Sequence, residues 1–205
     1  MAHLLVQPVT DLFICSLNNS FVPLQWRLSM ITPIPKISRP LKEADFRPIS
    51  ITSILSRILE KMVVRRYFYP FITQPCSNRI FTDQFAFRPS GSTSAALISI
   101  THELQSMLDS EPYVRLLSLD FSKAFDTVRH KHLADQLAAQ PIPDFLYNWV
   151  LALLHERQHC TKFGGEISPL CTINASIVQG SGLGPTDFAI AISSLKPKYW
   201  FKPSP

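Results

Sequence analysis

No CxxC pair occurs in the 205 residues; Cys15, Cys76, Cys160 and Cys171 stand far apart. Thiols dispersed in this way argue against a disulfide scaffold and make reduced, intracellular cysteines the expectation. Nor does any apolar run approach the roughly 20 residues that a helix needs to cross a bilayer. The opening MAHLLVQPVTDLFIC has neither the basic n-region nor the clean apolar core of a signal peptide. A soluble intracellular protein with no membrane partner is the expectation, and no tract decides between nucleus and cytoplasm. Internal repeats, a phosphate-binding P-loop and a Ser/His/Asp pattern are also missing. His155, His159, Cys160 and Cys171 superficially suggest zinc, but their spacing is no recognised finger and adjacent side chains diverge.

What is there is a globular composition, with 46% hydrophobic and 17% charged residues. That suffices for one substantial core, or for one domain with a smaller attached subdomain. The 17 prolines must break up the elements. A net charge of +5 is compatible with a polyanionic partner without resembling a basic tail.

Along the chain, PVTDLFICSLNN predicts a helix starting at Pro8 to Thr10 and ending at the Asn pair. QWRLSMITPIPKI predicts a strand whose later part, with Pro33 and Pro35, is an edge, and FRPISI a second short strand. A helix capped by Thr52 or Ser53 should then run to about Phe68, burying Ile54, Leu55, Ile58, Leu59 and Met62. Beside that stripe Arg57, Lys61 and Arg65 form a basic edge, either a solvated face or one turned to nucleic acid. YPFITQPCSNRIFTDQFAFRPSGST reads mainly as loop. A helix from about residue 94 to 108 should bury Leu97, Ile100, Leu104 and Leu108.

YVRLLSL, residues 113 to 119, is the best strand candidate: short, nearly all apolar, and bounded by Pro112 and Asp120. Helices are expected over 127–139, on Val128, Leu133 and Leu137, and from Pro143 through DFLYNWVLALLHER. A two-stranded element should turn near Gly164-Gly165, and a short helix should follow QGSGLGP, whose three glycines leave room for a close approach. Asp187 lies in that helix, where burial would be costly, so it should be exposed or neutralised. Helices beside a few strands, without βαβ alternation, indicate the α+β class.

Asp120 ends the apolar run, and a carboxylate at a strand terminus can offer oxygen ligands to a hard divalent cation from a rigid base. A turn residue is the alternative. Asp126, six residues on, reads as a helix cap or local acceptor.

LSLDFSKAFDTV, ITPIPKI followed by DFRPISITSILSRILEK, DQFAFRPSGST, and VQGSGLGP together resemble the reverse transcriptase domain of LINE-type non-LTR retrotransposons. The resemblance runs over 25–195, behind an N-terminal helical segment, 1–24, and ahead of a divergent tail, 196–205. It implies a partial right-hand polymerase fold, with fingers and a truncated palm but no thumb. The implied function is RNA-directed DNA polymerase, a nucleotidyltransferase adding deoxynucleotides to a DNA primer on an RNA template by two-metal phosphoryl transfer. Its implied partners are RNA template, DNA primer and deoxynucleoside triphosphates, and its implied cofactor is Mg²⁺.

Carried over by residue, the resemblance makes Asp120 the first metal ligand, with the Phe121 main-chain carbonyl a second contact. Phe125 matches the aromatic that excludes a 2′-hydroxyl from the incoming sugar. Lys36 and Arg47 match fingers cations that approach the triphosphate. Gln179 and Gly180 match the palm loop at template and nucleotide, and Arg88 lies in the template-side segment. Read from pattern alone, Lys36 and Arg47 are exposed loop cations, Phe125 a core aromatic and Gln179-Gly180 a turn. The family completes its centre with a later Asp-Asp hairpin, and this sequence contains no Asp-Asp pair. The expectation is therefore a family domain that does not catalyse as this chain. The alternative is a non-catalytic nucleic-acid-binding or decayed transposon-derived fragment.

Overall fold

A computed structural model describes residues 2–73, 81 and 84–195. Parts of the proline-rich loop near 74–83, including Cys76, and the tail 196–205 lie outside the described residues. The fold is mixed α/β, with a five-stranded open sheet and several helices.

α1 (Ala2–Asn18) starts earlier than expected and carries Pro8 inside it. A proline there forgoes one helical bond, but the helix is held elsewhere: Trp149 Nε1 donates to Ser16 Oγ at 3.0 Å, and Ser16 Oγ donates to the Phe21 carbonyl at 2.7 Å. α2 (Leu24–Arg27) is one turn that buries Trp26 and feeds β1 (Leu28–Pro35). β1 pairs antiparallel with β2 (Phe46–Thr52), Ile34 opposite Arg47 and Pro33 opposite Pro48. On its other side it pairs parallel with β3 (Gln158–Phe163) only as far as Ile31. The proline-bearing half of β1 is thus flanked by β2 alone, the edge that its missing N–H donors require.

Gly164 and Gly165, at φ +58° and +92°, turn β3 into β4 (Glu166–Ile167) as expected, and β5 (Cys171–Thr172) pairs with β3. Positive φ at both central positions is what a tight hairpin turn demands.

α3 (Ile54–Val63) continues through a π-helical turn, Val64–Phe68, into α4 (Tyr69–Thr73). Its orientation corrects the sequence reading in part: Leu59 is buried and Leu55 packs half-buried against the core as expected, but Ile54, Ile58 and Met62 are exposed, and Ser56, Glu60 and Val63 are buried in their place. The helix is turned so that a serine and a glutamate face inward, because those polar groups find hydrogen-bond partners there.

α7 (His130–Ala138) buries Leu133 and Leu137, and α8 (Asp144–Leu154) buries Leu146, Trp149, Val150 and Leu153, as their periodicity predicts. With Phe13, Trp26, Leu59 and Phe68 these residues form the core.

Two expectations fail. α5 (Thr93–Leu108) forms, capped by Ser92 Oγ accepting from the Ala95 N–H at 3.0 Å, but buries none of its residues; Leu97 is 61% exposed. The segment 113–119 is no strand. Leu116, Leu117 and Leu119 are exposed, Leu117 to 81%. A fully apolar strand is stable only between two covered faces and beside a hydrogen-bonding neighbour, and the described residues supply neither. Among the described residues no helix is long and apolar enough to cross a membrane.

Candidate nucleic-acid interface

The β1–β2 pair places two of the expected cations at one end. Lys36 follows Pro35, which pairs with Phe46, and Arg47 comes next on β2. The Lys36 N–H donates to the Asp45 carbonyl at 2.7 Å, and its Nζ donates to the Ala44 carbonyl at 2.9 Å. Asp45 Oδ2 in turn accepts from the Leu41 and Lys42 N–H groups at 2.9 and 3.1 Å, which closes the connecting loop. Arg47 is exposed, so this end of the pair presents its guanidinium to solvent.

Three residues further along β2, about 10 Å at a strand's rise, the glycine loop is seated. The Ser50 N–H donates to the Gln179 carbonyl at 2.8 Å. Gly180 sits at φ +121°, and a Cβ there would collide with the Ser50 carbonyl oxygen. Only glycine meets both conditions. Gly182 lies on the backbone of α3: a Cβ would stand 2.8 Å from Glu60 Cβ and 2.9 Å from the Lys61 nitrogen. Gly180 and Gly182 thus let a chain turn pack directly on two other elements. α9 (Gly184–Ala191) follows, with Pro185 in its first turn.

The Asp120 segment meets this loop through its second half. α6 (Ala124–Thr127) is a single turn entered by Lys123 at φ +52°. The Ile177 N–H donates to the Phe125 carbonyl at 2.8 Å, and the Ser176 N–H to the Val128 carbonyl at 2.8 Å. Gln179 Nε2 donates to Asp126 Oδ1 at 3.5 Å. Asp126 lies inside α6 and does not cap it; its partner is 53 residues away. The Phe125 ring stacks on Phe188, centroids 4.5 Å apart and planes at 14°, and Phe87 stands edge-on to both. Phe87 and Phe188 went unread as partners of Phe125, since only the tertiary fold brings the three segments together.

Asp120 and Phe121 are exposed, and no strand flanks them. Mg²⁺ in a phosphoryl-transfer centre is held by carboxylates that meet from different elements. Here the donor set is one carboxylate and one main-chain carbonyl, Asp126 being engaged by Gln179. No group of three or more His, Cys, Asp or Glu among the described residues could hold an ion. The residues present do not fit that centre. Arg88 is turned inward: its Nη1 donates to the Phe81 and Gln84 carbonyls at 2.6 and 3.2 Å, closing the loop before α5.

Behind the loop lies a group of buried charges. Glu60 is fully buried on α3, Arg157 nearly so just ahead of β3, and Asp187 in α9. Burial, reinforced by the Glu60 charge, pushes the Asp187 carboxyl well above the carboxylate range against the opposing pull of Arg157. Of the outcomes left open for Asp187, the structure excludes exposure, and the upward shift favours the neutral form. Burial likewise lowers Arg157, against the pull of Glu60 and Asp187. His130, whose Nε2 donates to the Ser176 carbonyl at 3.1 Å, is lowered by burial; that bond opposes the shift and the Arg157 charge adds to it.

Residues 34–198 match the model of the family described as reverse transcriptase (RNA-dependent DNA polymerase). The chain is 29% identical over 178 residues to a probable RNA-directed DNA polymerase from transposon X-element of Drosophila melanogaster, covering 86% of this chain and 19% of that protein. It is 28% identical over 180 residues to the RNA-directed DNA polymerase from mobile element jockey of the same species, at 87% and 19% coverage. With the Pol polyprotein from type-1 retrotransposable element R2 of Popillia japonica the identity is 26% over 175 residues, at 85% and 24%. The chain spans about a fifth of the length of the curated relatives it matches. The motifs around Arg47, Asp120 and Gln179 fall inside the matched region, and the chain belongs to the reverse transcriptase family, related to the enzymes of non-LTR retrotransposons.

Proposed function

We propose that this chain is the fingers and partial palm of an RNA-directed DNA polymerase, and that its own residues bind template, primer and incoming nucleotide. In this reading Lys36 and Arg47 neutralise triphosphate charge. Gln179 and Gly180 present a side-chain amide and a bare backbone to the nascent base pair, Phe125 limits the sugar, and Arg88 orders the template-side loop. Asp120 and the Phe121 carbonyl are the family's first metal contacts. Because the donor set here does not fit a two-metal centre, phosphoryl transfer is assigned to no step of this chain alone.

The observation that carries the reading is the seat of the glycine loop on β2. It sets Gln179 beside Ser50, three residues along β2 from Arg47, so that a neutral polar side chain and a cationic one lie along one strand. A neutral amide beside a bare glycine suits contact with a base pair, and an exposed guanidinium suits phosphate.

Fluorescence anisotropy with a labelled RNA–DNA template–primer tests this. Affinity should fall steeply with salt, and Arg47→Ala should weaken binding and flatten the logarithmic salt slope by about one. Salt-independent binding, or an Arg47→Ala protein that binds like the parent, would overturn the reading. A purely non-catalytic binding fragment is the second reading, favoured by the exposure of Asp120. Binding without primer extension supports that one.

A further inference from the structure

Glu60 is the residue whose burial the amphipathic pattern of α3 least explains. Its Oε1 accepts from Ser56 Oγ at 2.7 Å, one turn back on the same helix. Its Oε2 accepts from the Gly182 N–H at 2.6 Å and from the Leu183 N–H at 3.3 Å. Gly182 packs against Glu60 Cβ, the Lys61 nitrogen and the Arg57 carbonyl, so the loop is pressed onto the helix at this point. The same loop is fastened at its other end to Ser50 of β2. Between the fastenings the Ser181 N–H donates to the Val178 carbonyl at 3.2 Å and the Gly184 N–H to Ser181 Oγ at 2.8 Å. A glycine-rich turn is the segment with most conformational freedom to lose, and here each end is bonded to a different element.

We propose that Glu60 is a positioning residue for the Gln179–Gly184 loop: its buried carboxylate pins the Gly182 and Leu183 amides and thereby holds Gln179 where it meets Asp126 and the bound nucleic acid. The proposal rests on the binding reading given above. It explains why α3 turns Ser56 and Glu60 inward and leaves Ile54, Ile58 and Met62 outside. It also gives Arg157 a task. A buried carboxylate needs a counter-charge, and Arg157, whose Nη1 alone is bonded among the described residues, to the Leu153 carbonyl at 3.4 Å, carries a charge that acts on Glu60.

The test uses the 205-residue chain. Glu60→Gln keeps an acceptor oxygen and removes the charge, and amide hydrogen exchange at Gly182 and Leu183 reads the pin directly. Exchange at these two amides should quicken by about ten- to hundredfold, and by more than the accompanying fall in the urea midpoint of the whole domain accounts for, because charge-assisted bonds are the ones lost. Ser56→Ala is the milder second variant, should Glu60→Gln fail to fold, and should quicken the same amides less. Positioning is then read by a double-mutant cycle on template–primer affinity. If Glu60 acts through Gln179, Glu60→Gln combined with Gln179→Ala should lose no more affinity than Gln179→Ala alone.

Unchanged exchange at Gly182 and Leu183 would overturn the pin. Quickened exchange with additive losses of affinity would reduce Glu60 to a structural role and overturn the positioning. A parent chain that does not bind template–primer would remove the binding reading and the role at Gln179 with it, while the exchange result would still decide whether Glu60 holds the loop.

Discussion

Asp187→Asn should stabilise this protein at neutral pH and not at acid pH. The carboxyl is fully enclosed, its Oδ1 has no hydrogen-bond partner among the described residues, and burial with the nearby Glu60 charge pushes its pKa well above the ordinary 3.8. Below pH 3.8 folded and unfolded chains both hold the proton, and the group has no effect on the balance. As pH rises past 3.8 the unfolded chain releases the proton and the folded chain keeps it, so stability falls until pH passes the folded pKa. One proton bound differentially corresponds to about 1.4 kcal/mol per pH unit. For a domain of this size that is about 3–6 °C in Tm per pH unit. Asparagine keeps the shape and cannot ionise, so the variant should lack this slope. The assay is urea unfolding of both proteins at pH 4, 5, 6 and 7, taking the difference at each pH so that all other titrations cancel. A difference that grows with pH confirms the neutral, buried acid; a flat difference would refute it, since it would mean that Asp187 is solvated and ionises as it does in the unfolded chain.

His130 should titrate below 6.5 when followed by ring NMR; its folded state binds the proton less readily, so stability is full above 6.5 and declines as pH falls through the folded pKa. His130→Gln should flatten that acid limb in the same urea series. Trp149→Ala should cost about 3–5 kcal/mol, because it empties a fully buried site, and also frees Ser16 Oγ from the indole N–H. Near-parental stability by calorimetry would show that α1 is not held by α8. Gly180→Ala should quicken amide exchange at Ser50 and weaken template–primer binding, since φ +121° and the Ser50 carbonyl both oppose a Cβ; normal exchange at Ser50 would mean that the loop is not seated there.

Helices with one dominant apolar face were legible. Leu133, Leu137, Trp149 and Leu153 are buried where the three-and-four spacing put them, and the Gly164-Gly165 turn was legible from its residues. α3 was misread in part, Leu55 and Leu59 turning inward as expected but Ile54, Ile58 and Met62 outward, because apolar spacing counts only water and oil. Ile54, Ile58 and Met62 form as good a stripe as the one the protein buries, and the deciding term is a carboxylate satisfied by two amides 122 and 123 residues away. That contact has no local signature except the glycines that make room for it. α5 was misread on the same ground: Leu97, Ile100 and Leu108 are spaced to be buried, and no element lies over them among the described residues.

The 113–119 segment separates what this chain can build from what it only carries. A strand is defined by its neighbours, and Leu116, Leu117 and Leu119 have the composition of a central strand with no neighbour among the described residues. Asp120 inherits that lack of support: an exposed carboxylate on an unpaired segment is free to reorient, and a metal ligand must be held to within about half an ångström. The glycine loop shows the opposite condition. The bonds that hold the stretch around Gln179 run from Ser50 to Gln179 itself, from Glu60 to Gly182 and Leu183, and from the 125–128 turn to Ser176 and Ile177. Binding should therefore depend on Gln179 and not on Asp120. If the 205-residue chain binds template–primer with a Gln179-dependent affinity and Asp120→Asn leaves that affinity unchanged, the two halves of the site are separable; an equal loss from both substitutions would show that Asp120 is already in place.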